Sequence, residues 1–486
     1  MRCVITILVF LLAGLLNNTP ANAAENAGRN IADKDIANAI YSILLADNAV
    51  SSHLIDIAVS EGVVTLSGSV DNILSRDRAI QLAEMTKGVR AVVNTIEVKP
   101  LHRKDERIRK DIQEALHKDP ATDAYELEIS VNDGIVTLTG IVDSHADKIL
   151  CTIVVKGTTG VKDVNNNVIY TKITDRSDSE IKAEIERRLY ADISINANMI
   201  EVAVQGGEVT LSGVVGSAWE KSQARRKSFI KGVDSVDNNN LEVRWWAGEI
   251  LLRKIELENK TDEDIEMAVA AAFLYDPRVN MFEIDVDAKN GKVKLNGIVD
   301  NLKSKREAAE DANNTVGILR VFDYLSVRPV LRPDYELAGD IRDALLRDPY
   351  VNRYEITVIA RNAKGYLFGA VSNNFEKLRA EDVASRINGV VDIQNNLTIV
   401  GNISKSKHDW EILEDVRSQL WWSPSIDENY ISVSVRDGVV RLTGVVEDLH
   451  EFRTAEQNAI AAGAKRVINK LKIGYGPSAS GCPISC

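Results

Sequence analysis

The residue types that most often carry chemistry are few in this chain and are not arranged for it. The six histidines are scattered along the sequence: His53, His102, His117, His145, His408 and His450. A zinc site needs clustered ligands, so we interpret these residues as surface histidines. Neither the Gly-x-Ser-x-Gly pattern nor the phosphate-binding Gly-x-x-x-x-Gly-Lys-Ser/Thr pattern occurs. The sequence therefore predicts no enzyme, no metal site and no cofactor.

The cysteines divide into two groups. Cys151 occupies a small position on a predicted helix, and we interpret it as an inert core residue. Cys482 and Cys486 lie in a C-terminal segment rich in Gly, Pro and Ser, which is typical of a flexible tail. In an oxidising compartment these two would pair with each other or across chains. A metal clip and simple exposure are the alternatives, and the sequence leaves them open.

Tryptophans and basic residues are the other candidates for a contact surface. Trp245 and Trp246 lie outside the repeating pattern described below, and Trp421 and Trp422 end a predicted helix. Adjacent residues cannot both face the core from one helix, so one ring of each pair is expected at the surface, where tryptophan favours lipid headgroups or protein partners. Packing between domains is the alternative. Basic clusters that would contact anionic lipid are Arg225, Arg226 and Lys227, and the segment 103–110.

The charge balance and the N-terminal segment limit the class of protein. The formal net charge is −12 at pH 7, which argues against general affinity for nucleic acid. Residues 1–23 combine Arg2, a short apolar run and Ala21-Asn22-Ala23, the pattern of a cleaved signal peptide. No later segment approaches the ~20 apolar residues of a membrane-spanning helix. We therefore expect a periplasmic or otherwise exported protein.

A pattern repeated six times fills the rest of the chain. Its reference point is a glycine inside a strand-like segment, at Gly68, Gly140, Gly213, Gly297, Gly369 and Gly444. Apolar residues precede each of these reference glycines at helical spacing, as Ile36, Ile40 and Leu44 precede Gly68. The period of about seventy residues exceeds that of the usual solenoid repeats, so each copy is interpreted as a small domain.

Each copy has the same order of predicted elements. After the first helix, apolar and polar residues alternate on both sides of a turn such as Asp133-Gly134, which predicts a β-hairpin. The fifth copy has Ala363 at the turn glycine, so we expect its turn to be rebuilt. Small residues such as Ala79 and Ala83 mark a second helix, and the reference glycine is expected to let this helix lie close to the sheet. A third strand completes an α-β-β-α-β unit, with two helices on one face of a three-stranded mixed sheet.

These residues resemble the BON domain, a module of osmotically inducible periplasmic proteins. The resemblance rests on runs such as Asp-Gly-Val-Val-Arg-Leu-Thr-Gly-Val-Val at 437–446, followed by a Gly-Val or similar pair and a Val-x-Asn or similar strand start. It covers nearly all of the chain after the signal peptide. It implies association with phospholipid and a role in osmotic or envelope stress.

The predicted organisation is a signal peptide at 1–23, six domains, a linker at 245–260 and a tail at 475–486. The domains, called units 1 to 6 below, are expected at 30–99, 103–172, 177–244, 261–329, 333–400 and 406–474. The longest interval between reference glycines separates units 3 and 4, which indicates a duplicated triplet. Domains of this size are marginally stable alone, so we expect a compact or curved array.

Two functions are compatible with these observations. The first is a non-catalytic envelope protein whose array binds anionic phospholipid surfaces, in osmotic or envelope stress protection. The alternative is a periplasmic scaffold or chaperone-like array that binds protein or polysaccharide without lipid contact. The acidic net charge counts against the first function unless positive and negative residues are segregated. Neither nucleic acid nor a small-molecule substrate is expected as a partner.

Overall fold

The structure is a computed structural model that describes residues 31–50, 52–170, 176–246, 260–330, 332–400 and 407–474. These residues form six copies of one α-β-β-α-β unit, which confirms the predicted α+β fold. The predicted signal peptide, most of the linker, and the tail with Cys482 and Cys486 lie outside the described residues.

Each unit has two principal helices. The first helices are Asp33–Ala46, Asp105–Lys118, Asp178–Ala191, Asp262–Leu274, Asp334–Arg347 and Asp409–Trp422. The second helices are Ile73–Glu84, His145–Lys156, Ala218–Lys227, Leu302–Asn313, Asn374–Ser385 and Leu449–Ala461.

Each unit also has one three-stranded mixed sheet, in which a hairpin precedes a third strand that pairs parallel to the second. The hairpin strands are Ile55–Ser60 and Val63–Val70, Leu127–Asn132 and Ile135–Val142, Ile200–Gln205 and Glu208–Val215, Ile284–Lys289 and Lys292–Val299, Thr357–Arg361 and Lys364–Val371, and Ile431–Arg436 and Val439–Val446. The third strands are Ala91–Val98, the pair Asp163–Asn166 and Ile169–Tyr170, Ser235–Val243, Arg320–Val327, Asp392–Ile399 and Arg466–Ile473.

The apolar stripe of each first helix forms the core of its unit. In unit 1, Ile36, Ile40 and Leu44 are 2%, 0% and 1% exposed and belong to one buried cluster with the central strand. Burying a side chain of this size contributes about 1.5–3 kcal/mol. The helical spacing recognised in the sequence is therefore the spacing of the core.

The aspartate that opens each first helix holds the hairpin turn. In unit 6, the two carboxylate oxygens of Asp409 accept hydrogen bonds from the backbone N–H groups of Asp437 and Gly438, each at 2.8 Å. The equivalent aspartates are Asp33, Asp105, Asp178, Asp262 and Asp334. This role was not predicted from the sequence, although an aspartate lies 35 residues before every reference glycine.

The reference glycines serve the hairpin, which corrects the expectation that they make room for the second helix. Gly68 has a φ of +104°, and a Cβ added to it would lie 2.1 Å from the carbonyl oxygen of Leu54, just before the first strand. The same close approach of a carbonyl oxygen occurs at Gly213, Gly297 and Gly444. Backbone crowding at the start of the hairpin therefore excludes a side chain at these positions.

The hairpin turn of unit 5 is not rebuilt, contrary to the prediction made from Ala363. Asn362 and Ala363 have φ values of 52° and 61°, both in the left-handed region. Arg361 and Lys364 remain paired across the turn. This is the two-residue turn that glycine or asparagine normally occupies, so Ala363 keeps the turn in a strained backbone conformation.

We expect Ala363→Gly to raise the free energy of unfolding of unit 5 by about 1 kcal/mol, because glycine relieves the left-handed penalty. The measurement is hydrogen exchange of the unit 5 hairpin in the full chain. Ala360→Gly, in the neighbouring strand, is the control and should lower stability by about 0.5–1 kcal/mol. Equal destabilisation by both changes would contradict the turn geometry.

Units 1, 2 and 3 contact one another in a closed cycle through the first residues of their second helices. Ile73 of unit 1 enters the core of unit 2, and Ala218 of unit 3 enters the core of unit 1. His145 of unit 2 stacks on Phe229 of unit 3 with 4.0 Å between ring centroids. This triplet is therefore joined at all three seams.

The second triplet repeats two of these seams. Leu302 of unit 4 enters the core of unit 5, and Leu449 of unit 6 packs against the core of unit 4. Unit 5 carries Asn374 at the equivalent position, and this residue is exposed. Unit 5 thus has an exposed polar residue at the position where unit 2 has the stacked ring of His145.

The two triplets are joined by one repeated contact, in which the end of a first helix accepts a backbone hydrogen bond from the loop after a second helix. Units 1 and 6, 2 and 5, and 4 and 3 are paired in this way, and the donor and acceptor pairs are Lys87 N to Trp422 O at 2.9 Å, Thr159 N to Arg347 O at 2.7 Å, and Val316 N to Ala191 O at 2.9 Å. The array is therefore compact, as expected, and its principal contacts between units are between helices.

Candidate binding surfaces

Three of the four tryptophans proposed as surface contacts meet at the seam between units 1 and 6. The ammonium of Lys87 lies 5.4 Å from the ring centroid of Trp245 and 5.1 Å from that of Trp421. Trp421 and Trp422 are in edge contact at 4.5 Å, and Trp422 packs against the core of unit 1. Cation–π contacts and ring packing of this kind stabilise an interface.

The structure therefore favours the alternative interpretation of these tryptophans as packing between domains. Trp246 is half-buried, with the guanidinium of Arg244 at 5.6 Å from its ring. Trp421 keeps 37% exposure at the edge of the seam. The sequence contained no signal that Trp245 and Trp421, far apart along the chain, would meet at one lysine.

The basic cluster at 225–227 contacts other residues of unit 3 and, through Arg226, the surface of unit 1. Lys227 forms an ion pair with Asp192 at 2.9 Å, and Arg225 Nε donates to the carbonyl oxygen of Val236 at 3.2 Å. Arg226 lines a cavity together with Glu84 of unit 1. These three residues are thus engaged within and between units, and they do not form one open cationic patch.

A cavity of about 790 Å³ lies between units 2, 3 and 4, and His145, Tyr170, Phe229 and Tyr275 are among its lining residues. Burial lowers the pKa of His145 to about 4, so the ring is neutral at physiological pH. Stacked on Phe229, it acts as a flat contact between units. Cys151 is fully buried, and burial raises its pKa to about 11, which agrees with an inert core thiol.

The outer faces of the sheets are the surfaces that sequence reasoning missed. Each sheet packs its helices on one face, and alternate strand residues point away from them into solvent. In units 1 to 3 every charged residue at these outward strand positions is acidic. These residues are Asp56, Glu97, Glu128, Asp163, Glu201, Glu208, Asp237 and Glu242.

The outward strand positions of units 4 to 6 have the opposite character. The basic residues there are Lys289, Lys292, Lys294, Arg320, Arg361, Lys364, Arg436, Arg441, Arg466, Lys470 and Lys472, against the acidic Asp285, Asp287 and Asp392. Unit 6 contributes five of the basic residues and no acidic one. The positive and negative outer sheet charges are thus segregated between the two triplets of an acidic protein.

Aromatic rings accompany the basic residues on unit 4. Strand pairing places Lys292 beside Arg320 and Lys294 beside Phe322 on one face. The Arg320 guanidinium lies 4.7 Å from the centroid of the Phe322 ring, and Phe322 is parallel to Tyr324, which is 59% exposed. Cations beside exposed rings match the chemistry of a lipid headgroup region.

Within the ranges given above, no group of three or more His, Cys, Asp or Glu side chains is placed to hold a metal ion. Within the same ranges, no helix has the length and apolar character needed to cross a bilayer.

The fold and these surfaces define a protein built from tandem copies of one small α+β module. The chain belongs to the BON-domain family, because the BON domain matches six segments that cover most of its length: 32–100, 104–172, 177–244, 261–329, 333–401 and 408–475.

Two characterised relatives are similar to parts of the chain. It is 25% identical over 154 residues to osmotically-inducible protein Y of Escherichia coli strain K12, covering 30% of this chain and 77% of that protein. It is 28% identical over 135 residues to outer membrane lipoprotein DolP of Haemophilus influenzae, covering 26% of this chain and 69% of that protein. A solved structure of CdsD, a structural protein of the type III secretion system of Chlamydia trachomatis, aligns at 17% identity with a TM-score of 0.12, covering 43% of this chain and 91% of CdsD. A TM-score this low supports no structural argument.

Proposed function

We propose that this protein is a non-catalytic component of the cell envelope that binds anionic phospholipid surfaces through the outer sheet faces of units 4 to 6. The observation that carries the proposal is the segregation of charge between the triplets. Each Lys or Arg near an anionic membrane contributes about 1 kcal/mol of attraction. Segregation lets an acidic protein present a locally cationic surface, which removes the objection raised by its net charge.

Unit 4 adds an apolar component to this attraction. Peripheral binding is strongest where cationic side chains are combined with apolar groups that enter the headgroup region. Phe322 and Tyr324 lie among Lys292, Lys294 and Arg320 and supply such groups. The tryptophans have no part in this proposal, since three of them are engaged in the seam between units 1 and 6.

The relatives support the envelope location. One is named an outer membrane lipoprotein and the other an osmotically inducible protein. We infer that this protein is likewise exported and acts at an envelope membrane, with osmotic or envelope stress as the condition in which it is needed. If the protein does not bind lipid, the remaining function is that of a scaffold that binds protein or polysaccharide.

The test is flotation with vesicles of anionic and of neutral phospholipid. The variant carries Arg441→Gln, Arg466→Gln and Lys470→Gln on the outer face of unit 6. At about 1 kcal/mol per charge, we expect at least a tenfold loss of affinity for anionic vesicles. Neutral vesicles should bind the natural protein weakly.

The control changes the net charge by the same amount at other sites. Lys34→Gln, Lys182→Gln and Arg417→Gln lie on first helices rather than on a sheet face. This variant should float nearly as well as the natural protein. Equal losses in both variants would show a dependence on net charge alone, and a protein that does not float at all would refute the lipid proposal.

A further inference from the structure

The outer sheet faces of units 3 and 6 are the two extremes of the charge segregation. On the strands of unit 3 the outward charged residues are Glu201, Glu208, Asp237 and Glu242, with no basic residue among them. On the strands of unit 6 they are Arg436, Arg441, Arg466, Lys470 and Lys472, with no acidic one. Both faces have the same strand geometry, because both belong to the same module.

Each of these two faces lies on the side of its sheet opposite to the helices that contact other units. The helices of unit 3 contact units 1 and 4, as in the hydrogen bond from Ser222 to Glu84 at 3.1 Å. Unit 6 meets the same two units, with Trp422 on unit 1 and an ion pair from Arg453 to Glu310 of unit 4 at 2.8 Å. The outer sheet faces are on the far side of these contacts. Among the described residues no ion pair joins the two faces within one chain. Glu242 pairs with Arg244, just beyond its own strand, at 2.6 Å.

We propose that a second copy of this chain supplies the complementary face, so that unit 6 of one copy docks on unit 3 of the next. Opposite charges on two faces of similar size and shape give the electrostatic complementarity that directs such an encounter. The contact is heterologous, since two different faces meet, and it leaves one free face of each kind at the ends. Such contacts build open chains rather than closed dimers.

The size of the faces predicts a weak and salt-sensitive association. Three strands about 4.8 Å apart and some eight residues long present roughly 350 Å². This is below the ~800 Å² per partner of a stable interface. The association is therefore expected at low ionic strength and high protein concentration, and should be lost when salt screens the charges.

The inference does not depend on lipid binding, but it has a consequence for it. The basic face of unit 6 would be shared between a neighbouring copy and an anionic membrane. Association between copies would then make that face inaccessible to lipid, and binding to a membrane would separate the associated copies. The decisive experiment contains no lipid, so its failure would leave the membrane proposal standing.

The experiment is sedimentation velocity of the natural protein and two charge-reversed variants. The first variant carries Glu201→Lys, Glu208→Lys and Glu242→Lys in unit 3, and the second carries Arg441→Glu, Arg466→Glu and Lys470→Glu in unit 6. At about 0.01 M salt, where screening extends to ~30 Å, the natural protein should rise to at least twice the mass of one chain. At about 1 M salt, where the range is ~3 Å, it should return to a single chain.

Each variant alone should sediment as a single chain at low salt, and an equimolar mixture of the two should recover the larger species. Recovery on mixing also shows that both variants are folded, and matched circular dichroism spectra check this independently. A natural protein that stays monomeric at low salt would overturn the proposal. So would persistent association of either variant alone, or a mixture that remains monomeric.

Discussion

Replacing Arg278 by alanine is expected to destabilise the contact between units 2 and 4 by about 3–5 kcal/mol. The guanidinium donates two hydrogen bonds to the carboxylate of Asp119, at 2.9 and 2.8 Å. The two side chains are only 7% and 5% exposed. Without Arg278, Asp119 would remain as an uncompensated charge inside the seam, and this accounts for the large expected effect.

Thermal unfolding and hydrogen exchange at residues 119–125 measure this loss. The double variant Asp119→Ala and Arg278→Ala should recover part of the stability, because it leaves no buried charge. Arg328→Ala removes an exposed arginine of the same unit, paired with Glu283, and should cost less than about 1 kcal/mol. Equal effects of Arg278→Ala and Arg328→Ala would mean that units 2 and 4 do not meet as described.

The second large effect is expected from Gly444→Ala in unit 6. The added Cβ would lie 1.9 Å from the carbonyl oxygen of Tyr430, and the φ of +132° disfavours any side chain. Relief requires a backbone shift at the start of the hairpin, and overpacking of this kind costs about 1–3 kcal/mol in addition to about 1–3 kcal/mol of backbone strain. We therefore expect the unfolding midpoint of unit 6 to fall sharply.

Two comparisons separate crowding from a general effect of alanine. Gly474→Ala, in the same unit, meets no atom within 4 Å and should leave the midpoint nearly unchanged. Gly369→Ala in unit 5 meets the carbonyl oxygen of Glu355 at 2.7 Å and should have an intermediate effect. Urea denaturation of the three variants would contradict the explanation if their order were different.

The repeated module was predictable because its signals are local. Ile36, Ile40 and Leu44 mark a helix face at intervals of about one turn, and Asp133-Gly134 marks a turn between two alternating strands. Contacts between distant residues could not be predicted in the same way. The approach of the Leu54 carbonyl to Gly68 depends on how the hairpin folds back, and so the reason for the glycine was wrong while its structural importance was correct.

The candidate surface was predicted less well than the fold. The tryptophan pairs were candidates because tryptophan is rare. Their contact with Lys87, however, depends on the packing of unit 6 against unit 1. The outward sheet charges were open to recognition, since strand alternation alone identifies them. Adding up their signs unit by unit would have revealed the segregation, which the net charge of the whole chain conceals.

Charge segregation is expected to orient the protein on an anionic membrane, with unit 6 toward the lipid and unit 3 away from it. Ser434 and Ala203 are matched outward positions on the first strands of these units, and both are exposed. In a background with Cys482 and Cys486 changed to serine, a fluorophore at Ser434→Cys or Ala203→Cys would report contact with lipids that carry a quencher. Strong quenching at position 434 and little at position 203 is the predicted result. Equal quenching at both positions, or quenching at position 203 alone, would contradict it.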